Sequence, residues 1–216
     1  VQSSLDLQPE FDIDIYDRFL RTAVMFGLVP DRFGTPENVN ADLSVYLSIP
    51  RGTQAAKASP MVKWFNTNYH VVQPEIERDP FLIQNPRLPD LNEAKKFALI
   101  GPWTLLSYSL NKTHKKKEEL FEILADQYQT FINQLPNKIV QLEEPSFLTQ
   151  GMPDTYDKFV SKLNKNIHLH VYFGSVNNFA EKLFKLPVAG LGLDFIDGSS
   201  NIELLNVFPK EKELIA

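Results

Sequence analysis

Apolar and polar positions along the chain follow two alternating periods. Short runs rich in Val, Ile, Phe and Tyr predict strands over residues 5–13, 62–71, 97–103, 138–142, 167–173 and 190–196, and a further strand begins at Glu213. Segments of helical period lie between them. Residues 15–27 carry Ile15, Phe19, Leu20, Ala23, Val24 and Phe26 on one stripe, closed by Gly27. Residues 117–135 repeat the pattern with Leu120, Phe121, Leu124, Tyr128, Phe131 and Leu135, so one face of that helix packs on a sheet. Helices over 155–164 and 177–186 flank the 167–173 strand. This alternation marks six or seven βα units around a parallel sheet. The stretch 74–90, with prolines at 74, 80, 86 and 89, has no period and reads as a surface excursion. No solenoid-length repeat and no linker divides the chain, so residues 1–216 read as a single domain.

Composition narrows the function classes. Apolar residues at 43% and charged residues at 23% describe a chain able to bury one core. The net charge of -5 leaves no broad basic footprint for nucleic acid, and the densest basic run, Lys115 to Lys117, is followed at once by Glu118 and Glu119, as on a solvated helix. No apolar stretch approaches the roughly 18 residues of a membrane span, and no signal pattern opens the chain, so the expected compartment is the cytoplasm. The chain has no cysteine, which excludes disulfides, cysteine nucleophiles and thiolate zinc sites. Val1 at the start and the apolar Leu214-Ile215-Ala216 at the close read as trimmed ends.

Four groups of residues carry candidate chemistry. Glu143-Glu144-Pro145 follows the run Ile139 to Leu142, at the strand end where barrel enzymes place their active sites. Adjacent strand residues point to opposite faces, so the two carboxylates cannot work together as an acid and base pair. Each reads either as one half of a catalytic pair or as a strand-end carboxylate satisfied by amides or a cation. Residues 61–70, Met-Val-Lys-Trp-Phe-Asn-Thr-Asn-Tyr-His, hold many hydrogen-bonding side chains for a strand, readable as a buried network or a binding surface. Lys63 is its sharpest member, an ammonium able to meet an anionic ligand. His168 and His170 stand two apart and share a strand face, a spacing that permits metal ligation but lacks a third ligand nearby. His70 and His114 stand apart from them. Gly190 and Gly192 form no dinucleotide fingerprint, and no Walker, nucleophile-elbow or kinase signature occurs.

The segment MVKWFNTNYHVVQPE resembles the Lys-Trp-Phe-x-Thr-Asn-Tyr-His signature of the amino-terminal half of cobalamin-independent methionine synthases. DIDIYDRFLRTAVMFGLVPDRF, LIGPWTLL, IVQLEEP, VYFGSVNNF and LPVAGLGLDFI follow in the family's order around it and cover nearly the whole chain. The resemblance implies a TIM-type (β/α)8 barrel with six or seven strands present, one of two barrels in an enzyme that moves a methyl group from methyltetrahydrofolate triglutamate to homocysteine. It implies zinc in the carboxy-terminal barrel and no cofactor here, since the family's metal ligands include two cysteines. Lys63 matches the lysine that contacts the folate's polyglutamate tail. Glu143 replaces the family's usual Asp, Glu144-Pro145 matches, and both positions are architectural in this half. An opening strand with further tail contacts is expected before Val1, and the last strand stops as it begins, which leaves barrel edges open to pairing with another copy. The chain then supplies scaffold and tail contacts, inactive alone, with the carboxy-terminal barrel as partner. The alternatives are a free-standing binding or regulatory barrel of the same superfamily and a glycosidase-like enzyme using Glu143 or Glu144.

Overall fold

A computed structural model describes residues 9–10, 16–88, 96–136 and 138–215. Six parallel strands form the main sheet: β1 (Pro9–Glu10), β5 (Lys96–Ile100), β7 (Ile139–Glu143), β8 (Asn166–Val171), β9 (Gly190–Leu193) and β10 (Glu213–Ile215), in that spatial order. The remaining short strands are β2 (Met61–Lys63) and β3 (His70–Val72), an antiparallel pair, and β4 (Glu75–Ile76) beside β6 (Leu110–Asn111). The helices are α1 (Arg18–Met25), α2 (Pro36–Ala41), α3 (Leu43–Arg51), α4 (Pro102–Tyr108), α5 (Lys117–Gln134), α6 (Phe147–Gln150), α7 (Tyr156–Ser161) and α8 (Ala180–Phe184). The fold is α/β on a parallel sheet. Among the described residues, β1 and β10 are its edges, and no helix is long and apolar enough to cross a membrane.

Two of the expected strands need correction. Residues 62–71 do not form one strand of the sheet; they turn back at Trp64 to Tyr69 as the β2–β3 hairpin, with Lys63 opposite His70. The 97–103 run stops at Ile100, because Gly101 and Pro102 open α4 and carry Trp103 into a helix. Only Pro9–Glu10 of the 5–13 run lies within the described residues, and β8 ends at Val171, just before Phe173 takes φ 76°. β9 ends at Leu193 because the Asp194 carboxylate takes the amides of Ile196 and Asp197 at 2.8 and 3.1 Å, a local turn that outcompetes the ladder.

Strand parity sorts the side chains by layer. Phe97, Leu99, Val140, Leu142, Ile167, Leu169, Leu191 and Leu193 belong to the core that also takes in Leu120, Phe121, Leu124, Tyr128 and Phe131 of α5. A second core joins Leu20 and Val24 of α1 to Val39, Tyr46, Ile49, Val72 and Ile83. The opposite sheet face is polar, since registers Ala98–Gln141–His168–Gly190 and Ile100–Glu143–His170–Gly192 place those residues side by side.

The 74–90 stretch is not merely a surface excursion, because Glu75, Ile76 and Ile83 are buried. The Glu75 carboxylate, 3% exposed, accepts from both terminal nitrogens of Arg32, from Ser59 Oγ at 2.8 Å and from Lys112 Nζ at 2.5 Å. Burial alone would raise its pKa; the bonds from Arg32, Lys112 and Ser59 overturn that and hold it down to about 2. A depressed folded pKa contributes stability above the ordinary value of 4.5, lost as pH falls toward 2. The urea midpoint of wild type is therefore expected to exceed that of Glu75→Gln most at neutral pH. The gap should narrow between pH 4.5 and 2, as followed by tryptophan fluorescence.

Candidate functional site

The carboxyl ends of the sheet strands hold the polar centre of the molecule. Glu143, last residue of β7 and 4% exposed, receives a two-pronged ion pair from Arg18, Nη1 to Oε1 at 3.0 Å and Nη2 to Oε2 at 2.6 Å. Gln141 Nε2, on the same strand face, donates to Oε1 at 2.9 Å, and the Tyr172 hydroxyl donates to Oε2 at 2.8 Å. Burial, then the neighbouring Glu143 charge, pushes the Tyr172 phenol well above its usual value, so it stays a donor. All of these partners are satisfied by one another, and the group reads as a locked cross-brace between α1, β7 and the end of β8.

Glu144 points the other way. It has no exposure and accepts the backbone amides of Trp103 at 3.0 Å and Thr104 at 2.7 Å. These are the second and third residues of α4, whose cap position is Gly101, a residue with no side chain to accept them. Glu144 thus caps a helix from another strand. Gly101 must stay bare, because a Cβ there would collide with the buried Glu144 carboxyl group. Burial pushes the Glu144 carboxyl up to about 7, against the pull of those hydrogen bonds. Neither glutamate is placed for glycoside hydrolysis: one is sealed under α4, the other spent on Arg18.

His168 and His170 do share the polar face, in register with Gln141 and Glu143. His168 is 2% exposed, 3.4 Å from Glu213 Oε2, and lowered mainly by burial; His170 is driven down to about 4, also chiefly by burial. Both are neutral at pH 7. Among the described residues no three His, Asp or Glu side chains converge as metal ligands, and the chain has no cysteine, so its residues do not fit a thiolate zinc centre. His70 and His114 are exposed and separate from this pair.

The β2–β3 hairpin leans over the same end of the sheet. Asp17, the N-cap of α1, accepts from Leu20 N at 2.5 Å and from Val72 N of β3 at 3.1 Å, fastening hairpin to helix. Trp64 packs on Phe19, and the Phe65 ring meets Tyr108 at 5.3 Å and Phe173 at 5.1 Å. Phe65 at φ 49° and Phe173 at φ 76° both sit in the left-handed region, where an aromatic residue is a steric outlier. Two such residues in contact mark this rim as a functional candidate on backbone grounds alone. Lys63 is exposed on the β2–β3 pair next to the turn, and its ammonium has no hydrogen-bond or ion-pair partner among the described residues. The structure does not bring it to the Glu143 group.

Arg18, Tyr172 and Phe173 escaped the sequence reading. Gln141 was legible in principle, two residues before Glu143 on one strand and hence on its face. Arg18 carried no signal, since it lies 125 residues away from its partner. Replacing it by Met would leave a buried, unpaired Glu143. The expected loss is roughly 2–4 kcal/mol in chemical denaturation, with much of it recovered in the double variant Arg18→Met/Glu143→Gln.

The family model described as "Cobalamin-independent synthase, N-terminal domain" matches residues 1–216. A 5-methyltetrahydropteroyltriglutamate–homocysteine methyltransferase of Bacillus licheniformis is 33% identical over 238 aligned residues, covering 100% of this chain and 31% of that protein. The enzymes of the same name from Listeria welshimeri and Bacillus subtilis are 34% and 32% identical, with the same coverage. The chain therefore spans about a third of the length of the curated relatives it matches. A solved B12-independent methionine synthase from Shewanella sp. W3-18-1, in complex with selenomethionine, superposes with a TM-score of 0.55 at 17% identity. That match covers 72% of this chain and 55% of that one, a likeness of fold. With a model match over all its residues and relatives above 30% identity over its full length, the chain belongs to the cobalamin-independent methionine synthase family, as its amino-terminal domain.

Proposed function

We propose that the chain works as the amino-terminal barrel of a methyltransferase that passes a methyl group from 5-methyltetrahydropteroyltriglutamate to homocysteine in the cytoplasm, and that it supplies scaffold and folate-tail contacts. The six parallel strands with helices on their apolar face are read as the wall of a (β/α)8 barrel. The zinc that activates the homocysteine thiol, and the thiolates that hold it, belong to a carboxy-terminal barrel with which this one associates. On this reading the chain alone does not turn over.

The observation that carries the proposal is the exposed ammonium of Lys63 at the hairpin rim, unpaired among the described residues. A polyglutamate tail is a short chain of carboxylates, and an exposed cation with no partner among the described residues is available to it without first breaking a bond to them. The contribution is modest: an exposed ion pair is worth about 0.2–1 kcal/mol, up to roughly fivefold in affinity. The locked Arg18–Glu143 brace beneath the rim suits a scaffold role better than a reacting one.

Calorimetry of this chain with pteroyltriglutamate should give weak, salt-sensitive binding that falls about two- to fivefold in Lys63→Ala and is largely kept in Lys63→Arg. The monoglutamate should not distinguish wild type from Lys63→Ala. Equal triglutamate affinity in wild type and Lys63→Ala would remove Lys63 from the site.

A further inference from the structure

The basic side chains of the β2–β3 hairpin sit together. From Met61 to Val72 the sequence holds Lys63 and His70 and no carboxylate, in a chain whose net charge is -5. The antiparallel register sets Lys63 directly across from His70. Residues so placed point to the same face of the pair, with their Cβ atoms about 4.5–5.5 Å apart. Both are exposed, and among the described residues neither the ammonium nor the imidazole has a hydrogen-bond or ion-pair partner. Two basic groups directly opposite one another add no attraction to a hairpin, and they repel whenever the imidazole is charged. An anion lying between them instead meets a donor from each strand.

We infer that His70 is a second binding residue for the carboxylate tail of the ligand, forming with Lys63 the two prongs of one anion site. The inference rests on the tail contact proposed for Lys63 and gives it a partner. The two side chains are complementary. Lysine brings a permanent charge on a flexible stem, whereas the imidazole is short, stays close to its strand and donates an N–H in either protonation state. A single carboxylate can accept from Lys63 Nζ on one oxygen and from the His70 ring on the other.

The hairpin backbone is fastened on both sides of this pair. Trp64 N, next to Lys63, donates to the Tyr69 carbonyl at 2.8 Å, which closes the turn. Phe65 N donates to the Tyr108 hydroxyl at 3.0 Å and so ties the turn to the end of α4. Val72 N, two residues beyond His70, donates to Asp17 at 3.1 Å. The spacing of the two prongs is therefore set before a ligand arrives, and binding has only side-chain torsions to fix.

The test titrates pteroyltriglutamate, pteroylmonoglutamate and sodium sulfate into the intact chain at pH 7 and constant ionic strength, and follows its four histidines by imidazole NMR. His70→Ala identifies the His70 signals. Triglutamate should shift them saturably and leave those of His114 and the buried His168 in place, while the monoglutamate and sulfate shift none of them appreciably. In calorimetry, His70→Ala should lower triglutamate affinity about two- to fivefold and leave monoglutamate affinity unchanged, with His70→Arg restoring the triglutamate value. Triglutamate affinity that falls in Lys63→Ala but not in His70→Ala, or His70 signals that stay still, would overturn the role of His70 and leave that of Lys63 standing. Unchanged affinity in both variants would overturn the tail contact on which the inference rests. A His70 shift reproduced in full by sulfate would show a non-selective anion contact and overturn the proposal as well.

Discussion

Glu144 holds the first free amides of α4 from the end of a strand that is not adjacent to that helix in sequence, and it does so fully buried. The constraint behind this contact is the period of two in a strand: if Glu143 faces the polar layer, Glu144 must face the helices. One face then needs a cation, and Arg18 brings it from α1. The other needs backbone donors, and the capless N-terminus at Gly101 offers them. The consecutive glutamates thus tie both α1 and α4 to the end of β7, Arg18 reaching its polar face while α4 lies against its apolar one. The β2–β3 hairpin hangs from both, through Asp17 at the start of α1 and Tyr108 at the end of α4.

This arrangement decides how the rim is read. A carboxylate already held by Arg18, Gln141 and Tyr172 has no lone pairs to spare for proton transfer. The rim is instead a place where rigid parts meet: two aromatic residues in left-handed backbone touch above the strand ends, and strain of that kind persists only where the surroundings enforce it. A stiff rim bearing an exposed cation is suited to hold the tail of a long anionic ligand while chemistry proceeds elsewhere, which is the division of labour proposed for this domain.

Much of the fold was legible because strand and helix periods are strong where one face is buried. β7, β8 and β9 begin within a residue of their expected positions, and α5 begins where its stripe does. The opposed glutamates followed from parity alone. The hairpin was missed because aromatic residues, Trp64, Phe65 and Tyr69, flank the Asn66-Thr67-Asn68 turn and mimic a continuing strand. α4 was missed although Gly101-Pro102 signals it, since proline suits the first turn of a helix. Glu75 was taken for surface because its three partners, Arg32, Ser59 and Lys112, are scattered over 80 residues of sequence and only folding assembles them. The same holds for Arg18 and Glu143.

The claim that the paired glutamates are structural is tested most directly by amide hydrogen exchange at Trp103 and Thr104. The first amides of a helix normally exchange fast, as they have no partner within it. Here both should rank among the protected amides of the chain near pH 6.5. Both should lose most of that protection in Glu144→Ala, while the amides of β8 and β9 keep theirs. Fast exchange at Trp103 and Thr104 in wild type, or protection unchanged in Glu144→Ala, would contradict the account.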